Sequence, residues 1–125
     1  MDADKFINGI NPLLNDLGFK KSNSTWRRDQ SESIAVINIQ KSQWSDGSFY
    51  INLGVFFSSL GNDTSPMENK CHVRVRMPVK DPLKTVSAAN EWLEARALLK
   101  DAVKLAADDS KKGLVLKELR NATIT

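Results

Sequence analysis

The chain has 125 residues, 41% of them hydrophobic and 26% charged, and its 18 basic and 15 acidic side chains leave a net charge of +3. That length and balance fit one domain with a sizeable core, residues 1–125, and exclude a disordered or fibrous chain. The small, well-mixed excess argues against a dedicated polyanion binder, whose charge is usually clustered.

The single cysteine cannot form an internal disulfide, which points to a reducing compartment. The opening "MDADKFINGINPLL" has no long apolar run, so neither a signal peptide nor a membrane anchor is read there. A cytoplasmic protein is the expectation.

Taken in chain order, residues 3–17 place Phe6, Ile10, Leu13, Leu14 and Leu17 at helical spacing. Asp2 or Asp4 suits the helix start and Gly18 the stop, and Pro12 is expected to bend the helix or begin another. The period then changes to two. Residues 25–30, 33–42, 48–57 and 71–77 read as strands, with Ser45-Asp46-Gly47 as a hairpin turn and a looser turn over 61–70.

Asp81-Pro82 marks a capped helix start. A single long helix is expected over 82–107, with Ala88, Trp92, Ala95, Leu99, Ala102, Val103 and Ala106 on one face and Arg96 stacked on Trp92. "DDSKKG" at 108–113 is read as an interruption. The tail "LVLKELRNA" is predicted as a last helix, with a short edge strand as the alternative. The sum is an α+β fold: an N-terminal helix, an antiparallel meander of four to five strands, and C-terminal helices packed on one sheet face.

Alternation assigns the faces. Phe49, Ile51, Leu53, Val55 and Phe57 form an apolar set, as do Cys71, Val73, Val75 and Met77. The opposite face collects Asn38, Gln40, Tyr50, Asn52, His72, Arg74 and Arg76, and Trp44 stands beside the hairpin turn. These eight residues are the candidate binding site. Their donors, acceptors, cations and aromatic rings suit an anion, a nucleic-acid backbone or an acidic protein surface.

Cys71 and His72 are adjacent, but on a strand neighbours point to opposite faces, so Cys71 is assigned to the core and His72 outward. That separates the two members of an apparent catalytic pair. One Cys and one His cannot make a usual zinc site, the carboxylates fall at strand ends and in turns, and no phosphate-binding or dinucleotide motif occurs. No cofactor or metal is expected. A metal-free ribonuclease built on His72, Arg74, Arg76 and Tyr50 has the right composition but lacks a second proton-transfer group.

With these residues in hand, "LGFKKSNSTWRRD", "INIQKSQW", "FYINLGVFF" and "CHVRVR" resemble family 4304 of the bacterial domains of unknown function, over about residues 10–77. The resemblance rests on Gly18-Phe19, Trp26, Asn38 with Gln40-Lys41-Ser42, residues 51–55, and Cys71-His72 with Arg74 and Arg76. It implies an N-terminal helix, a meander and C-terminal helices, and no established activity. By analogy with small families found in toxin–immunity neighbourhoods, it suggests a non-catalytic module that binds a protein partner, such as a toxin domain. The alternative expectation is an RNA- or nucleotide-binding domain that uses the polar sheet face.

Overall fold

The computed structural model describes residues 2–42, 47–112 and 114–115, with side chains described as far as Ala106. Helix α1 spans Ala3–Asp16, and the Asp2 side chain accepts from the Lys5 N–H at 2.8 Å. Its end is a Schellman closure: Gly18, at φ 89°, donates to Asn15 O, and Phe19 donates to Leu14 O. Phe19 and Leu14 are both buried, so the cap also fixes the angle at which the chain enters the sheet.

Six strands follow, β1 (Lys20–Ser22), β2 (Thr25–Asp29), β3 (Ser33–Lys41), β4 (Phe49–Phe57), β5 (Val73–Met77) and β6 (Leu114–Val115). They pair antiparallel in strict sequence order. The two-residue turn between β1 and β2 uses Asn23 at φ 58°, a conformation asparagine tolerates better than most residues. The predicted hairpin between β3 and β4 is present. Gly47 has φ 78°, while residues 43–46, with Trp44, lie outside the described residues.

The expected single helix over 82–107 is two helices, α2 (Pro82–Ala95) and α3 (Leu99–Lys112). Asp81 caps α2, accepting from the Lys84 N–H at 3.0 Å, with Pro82 in the first turn as the sequence suggested. The break at 96–98 is held from the β2–β3 loop and the first residue of β3. Glu32 accepts from the Leu99 N–H at 2.8 Å, Ser33 Oγ donates to Ala97 O at 2.9 Å, and Gln30 donates to Leu93 O at 3.4 Å. The tail's Leu114–Val115 pairs with β5 as an edge strand, and α3 runs through the expected interruption to Lys112.

The helices cover one sheet face. Phe6, Ile10, Trp26, Ile37, Leu53, Val55, Phe57, Val73 and Leu93 belong to one buried cluster there. The Trp26 indole N–H, which burial would otherwise leave unpaired, donates to Asn11 Oδ1 of α1 at 2.9 Å. On α2 the buried positions are Thr85, Val86, Ala89 and Leu93. Trp92 packs partly buried against this cluster, as expected, whereas Ala95 is exposed, a correction to the predicted face. The Arg96 guanidinium does stack on Trp92, 4.3 Å from the ring centre. No described helix is long and apolar enough to cross a membrane.

Candidate functional site

The face of the sheet away from the helices carries a row of polar side chains in register. Ser22, Thr25, Asn38, Asn52 and Arg76 stand opposite one another across β1 to β5, and Gln40 faces Tyr50 in the next row. Cross-strand neighbours at this spacing can bond directly. Asn38 donates to Thr25 Oγ1 at 3.0 Å and Asn52 donates to Gln40 Oε1 at 3.1 Å. Arg76 Nε donates to Asn52 Oδ1 at 3.1 Å, and its Nη2 lies 3.4 Å from Gln40 Oε1. The Arg76 guanidinium rests on the Tyr50 ring at 4.2 Å.

These bonds set the burial. Asn52 is buried and its amide is spent inside the ladder. Gln40 and Arg76 remain exposed at the ladder's edge. Arg76 is thus a cation fixed in place by neutral acceptors and an aromatic ring, and no described carboxylate pairs with it.

The other half of this face is roofed. Residues 61–70 fold across it and end in a single 3-10 turn, Glu68–Lys70. Four contacts pin the roof. Arg27 donates to Pro66 O at 2.8 Å, Arg74 Nε donates to buried Glu68 at 2.7 Å, Cys71 packs on Gly54, and Phe56 fills the space beside Gly61. Ile34, Val36, Phe56 and Cys71 form a small separate apolar cluster beneath it. Between roof and ladder lies a cleft of about 240 Å³, lined by Asn38, Gln40, Asn52, Arg74 and Arg76 on the sheet and Met67, Glu68 and Asn69 on the roof.

Two of the sequence-based assignments change here. His72 does not point outward with Arg74 and Arg76; it is 4% exposed. Strand β5 begins only at Val73, so alternation does not extend to residue 72. Where Cys71 would have paired with Phe57, the backbone has turned away toward the roof. His72 Nδ1 instead accepts the Phe57 N–H at 3.0 Å, and the ring packs 4.6 Å from that of Phe56. His72 closes the end of the β4–β5 ladder, and the ribonuclease scheme loses its accessible acid or base. Cys71 is buried as expected, but in the cluster under the roof and not in the helix-covered core. Burial, then the nearby Glu68 carboxylate, pushes its thiol up to about 12, so it is not a nucleophile at neutral pH.

Among the expected residues, the fold brings Asn38, Gln40, Tyr50, Asn52, Arg74 and Arg76 together. It withdraws His72, and Trp44 lies outside the described residues. Glu68, Met67 and Arg27 were not anticipated. Arg27 could have been placed on this face from its alternation with Trp26, whereas nothing local marks Glu68, whose partner is six residues away across a turn. Among the described residues no group of three or more His, Cys, Asp or Glu side chains is placed to hold a metal.

The Glu68–Arg74 pair supports a further expectation. Glu68→Gln keeps the shape but removes the charge facing a partly buried arginine. A loss of about 1–2 kcal/mol is expected, below that of a fully buried pair because Arg74 remains part-exposed. Urea unfolding of the two proteins measures it.

The family model described as a domain of unknown function (DUF4304) matches residues 10–112, from α1 to the end of α3. The match reaches past the strands that carried the resemblance and takes in both later helices. No curated protein matches the chain, and no solved structure does either.

Proposed function

The chain belongs to the DUF4304 family, whose description assigns no chemistry, and from the site we propose a non-catalytic module that binds a protein partner through the outer sheet face. One observation carries this reading: Arg76 is exposed, lacks a carboxylate partner among the described residues, and is held rigid by Tyr50, Asn52 and Gln40. A pre-positioned arginine on a tyrosine loses little side-chain freedom on binding, and these two residue types dominate interface hot spots. The complementary surface presents a carboxylate, which a guanidinium takes in a two-pronged contact.

The immunity version, in which the partner is a toxin domain, extends this reading by analogy and calls for an acidic or neutral toxin surface. A reducing, cytoplasmic setting suits the lone buried thiol.

Co-purification from the native host, with identification of the bound protein, supplies the partner. Arg76→Ala is then expected to weaken its affinity by about tenfold or more, chiefly through faster dissociation, with the fold unchanged by circular dichroism. A partner whose affinity ignores Arg76 removes the reading. Nucleic acid as the bound species, with affinity falling steeply as salt rises, would transfer the face to the nucleic-acid alternative.

A further inference from the structure

The β1–β2 edge holds a second cleft, of about 420 Å³, which is separate from the amide ladder. Its lining includes Lys20, Lys21, Arg27 and Arg28, against a single carboxylate, Asp29. The ion pairs among the described residues join Lys41 to Asp4, Arg74 to Glu68 and Lys84 to Asp81, so none of the four cleft cations is paired with a described carboxylate.

Neutral groups fix the two guanidinia. Arg27 donates to Pro66 O at 2.8 Å and contacts Met67 Sδ at 3.6 Å. Arg28 donates to Leu17 O at 3.1 Å and Gln30 Oε1 at 3.0 Å, and it lies 4.3 Å from the Phe19 ring centre. Each keeps N–H donors to spare. Burial also lowers the Arg28 pKa, with the Glu94 carboxylate opposing. The Lys21 ammonium sits above Trp26 at 5.8 Å, which leaves Lys20, directly opposite Arg27 in register, as the freer lysine.

The extent of the charge defines the ligand. Further along the sheet, Arg74 is neutralised by Glu68. The adjoining groove, of about 450 Å³, shares Asp29, Ile34 and Thr64 with this cleft and adds Asp63, Asn62 and Gln30. A long polyanion leaving the basic cleft would run onto these carboxylates. A compact ligand would meet cations at one end and hydrogen-bond acceptors at the other, in a volume usual for small-molecule sites.

We propose that this cleft binds a small phosphomonoester, its phosphate between Lys20 and Arg27, which share one sheet face, and its hydroxyl- or N–H-bearing body against Asp29 and Asp63. The inference does not depend on the partner-binding face described above.

Titration calorimetry of the full chain with inorganic phosphate, adenosine monophosphate and glucose 6-phosphate tests it. At least one ester is expected to bind about tenfold tighter than inorganic phosphate, and which one does so tells a nucleotide from a sugar phosphate. Lys20→Glu, on an exposed three-residue edge strand, should weaken that ester by about tenfold. Asp63→Asn should weaken the ester and leave inorganic phosphate unaffected. The proposal is overturned if neither ester binds at millimolar concentration, if Lys20→Glu has no effect, or if a single-stranded oligonucleotide binds more tightly than both esters.

Discussion

Gly54→Ala is expected to destabilise the protein by about 3 kcal/mol, an unusually large effect for adding one methyl group. Alanine in a strand interior normally gains about 0.5–1 kcal/mol over glycine, because glycine loses more backbone freedom on folding. Here that gain is overwhelmed. A Cβ on Gly54 would lie 2.6 Å from Cys71 Sγ, 2.7 Å from Cys71 Cβ and 3.4 Å from Glu68 O. Gly54 sits in the middle of β4, paired with Val36 on one side and Arg74 on the other, so the strand cannot retreat. The roof must lift instead, and with it the Glu68–Arg74 contact and the cover over Val36 and Phe56.

Urea unfolding measures the loss, and a double-mutant cycle locates it. Cys71→Ala would keep the offending Cβ, whereas Cys71→Gly removes it. Gly54→Ala combined with Cys71→Gly should therefore be more stable than the sum of the two single losses implies, by about 2 kcal/mol. Additive losses would mean that the roof does not rest on Gly54.

This close approach also shows what a sequence can and cannot disclose. Alternation assigned Asn38, Gln40, Tyr50, Asn52, Arg74 and Arg76 to one face correctly, because a side chain's face in a paired strand depends only on its immediate neighbours. The same rule failed at His72, because it was applied one residue past the start of β5. That start is set by the 3-10 turn, which is in turn held by Glu68, Gly54 and Arg27, residues far apart in the chain.

The break between α2 and α3 follows the same logic. An apolar stripe runs through 82–107, and the chain would read on as helix but for Gln30, Glu32 and Ser33, which take up the backbone groups freed at 93–99. The caps were legible for the opposite reason, α1 to within Asp2 or Asp4 and α2 at Asp81-Pro82: donor and acceptor lie within one turn. The amide ladder falls between these cases. Its members were legible, but its register was not, and only the register makes Arg76 a fixed cation in place of one more solvated arginine.

Cys71 gives the second large effect, read through pH. In the folded protein its thiol is pushed from an ordinary value of 9.0 up to about 12, first by burial and then by the Glu68 carboxylate, with Arg74 and Arg27 opposing. Between those limits the unfolded chain has released a proton that the folded chain still holds, so the unfolded state is favoured as pH rises. Below about pH 9 the thiol contributes nothing to the pH dependence. Above it, stability should fall by about 1.4 kcal/mol for each pH unit attributable to this group.

Other side chains titrate in the same range, so the quantity to measure is the difference between the wild type and Cys71→Ala in urea unfolding from pH 8 to 10.5. Cys71→Ala should start less stable, having lost a buried sulfur, and the gap should close as pH rises. Parallel curves would show that the thiolate is accommodated in the fold. A thiol reagent at pH 8 gives the kinetic counterpart, since labelling of the fully buried Cys71 should proceed only as fast as the roof opens. If Gly54→Ala lifts the roof, it should also speed that labelling. The two predictions then converge on one claim: the Cys71-His72 pair, which looks like chemistry in the sequence, is the buried end of a cover that holds Arg74 in its ion pair and leaves Arg76 exposed.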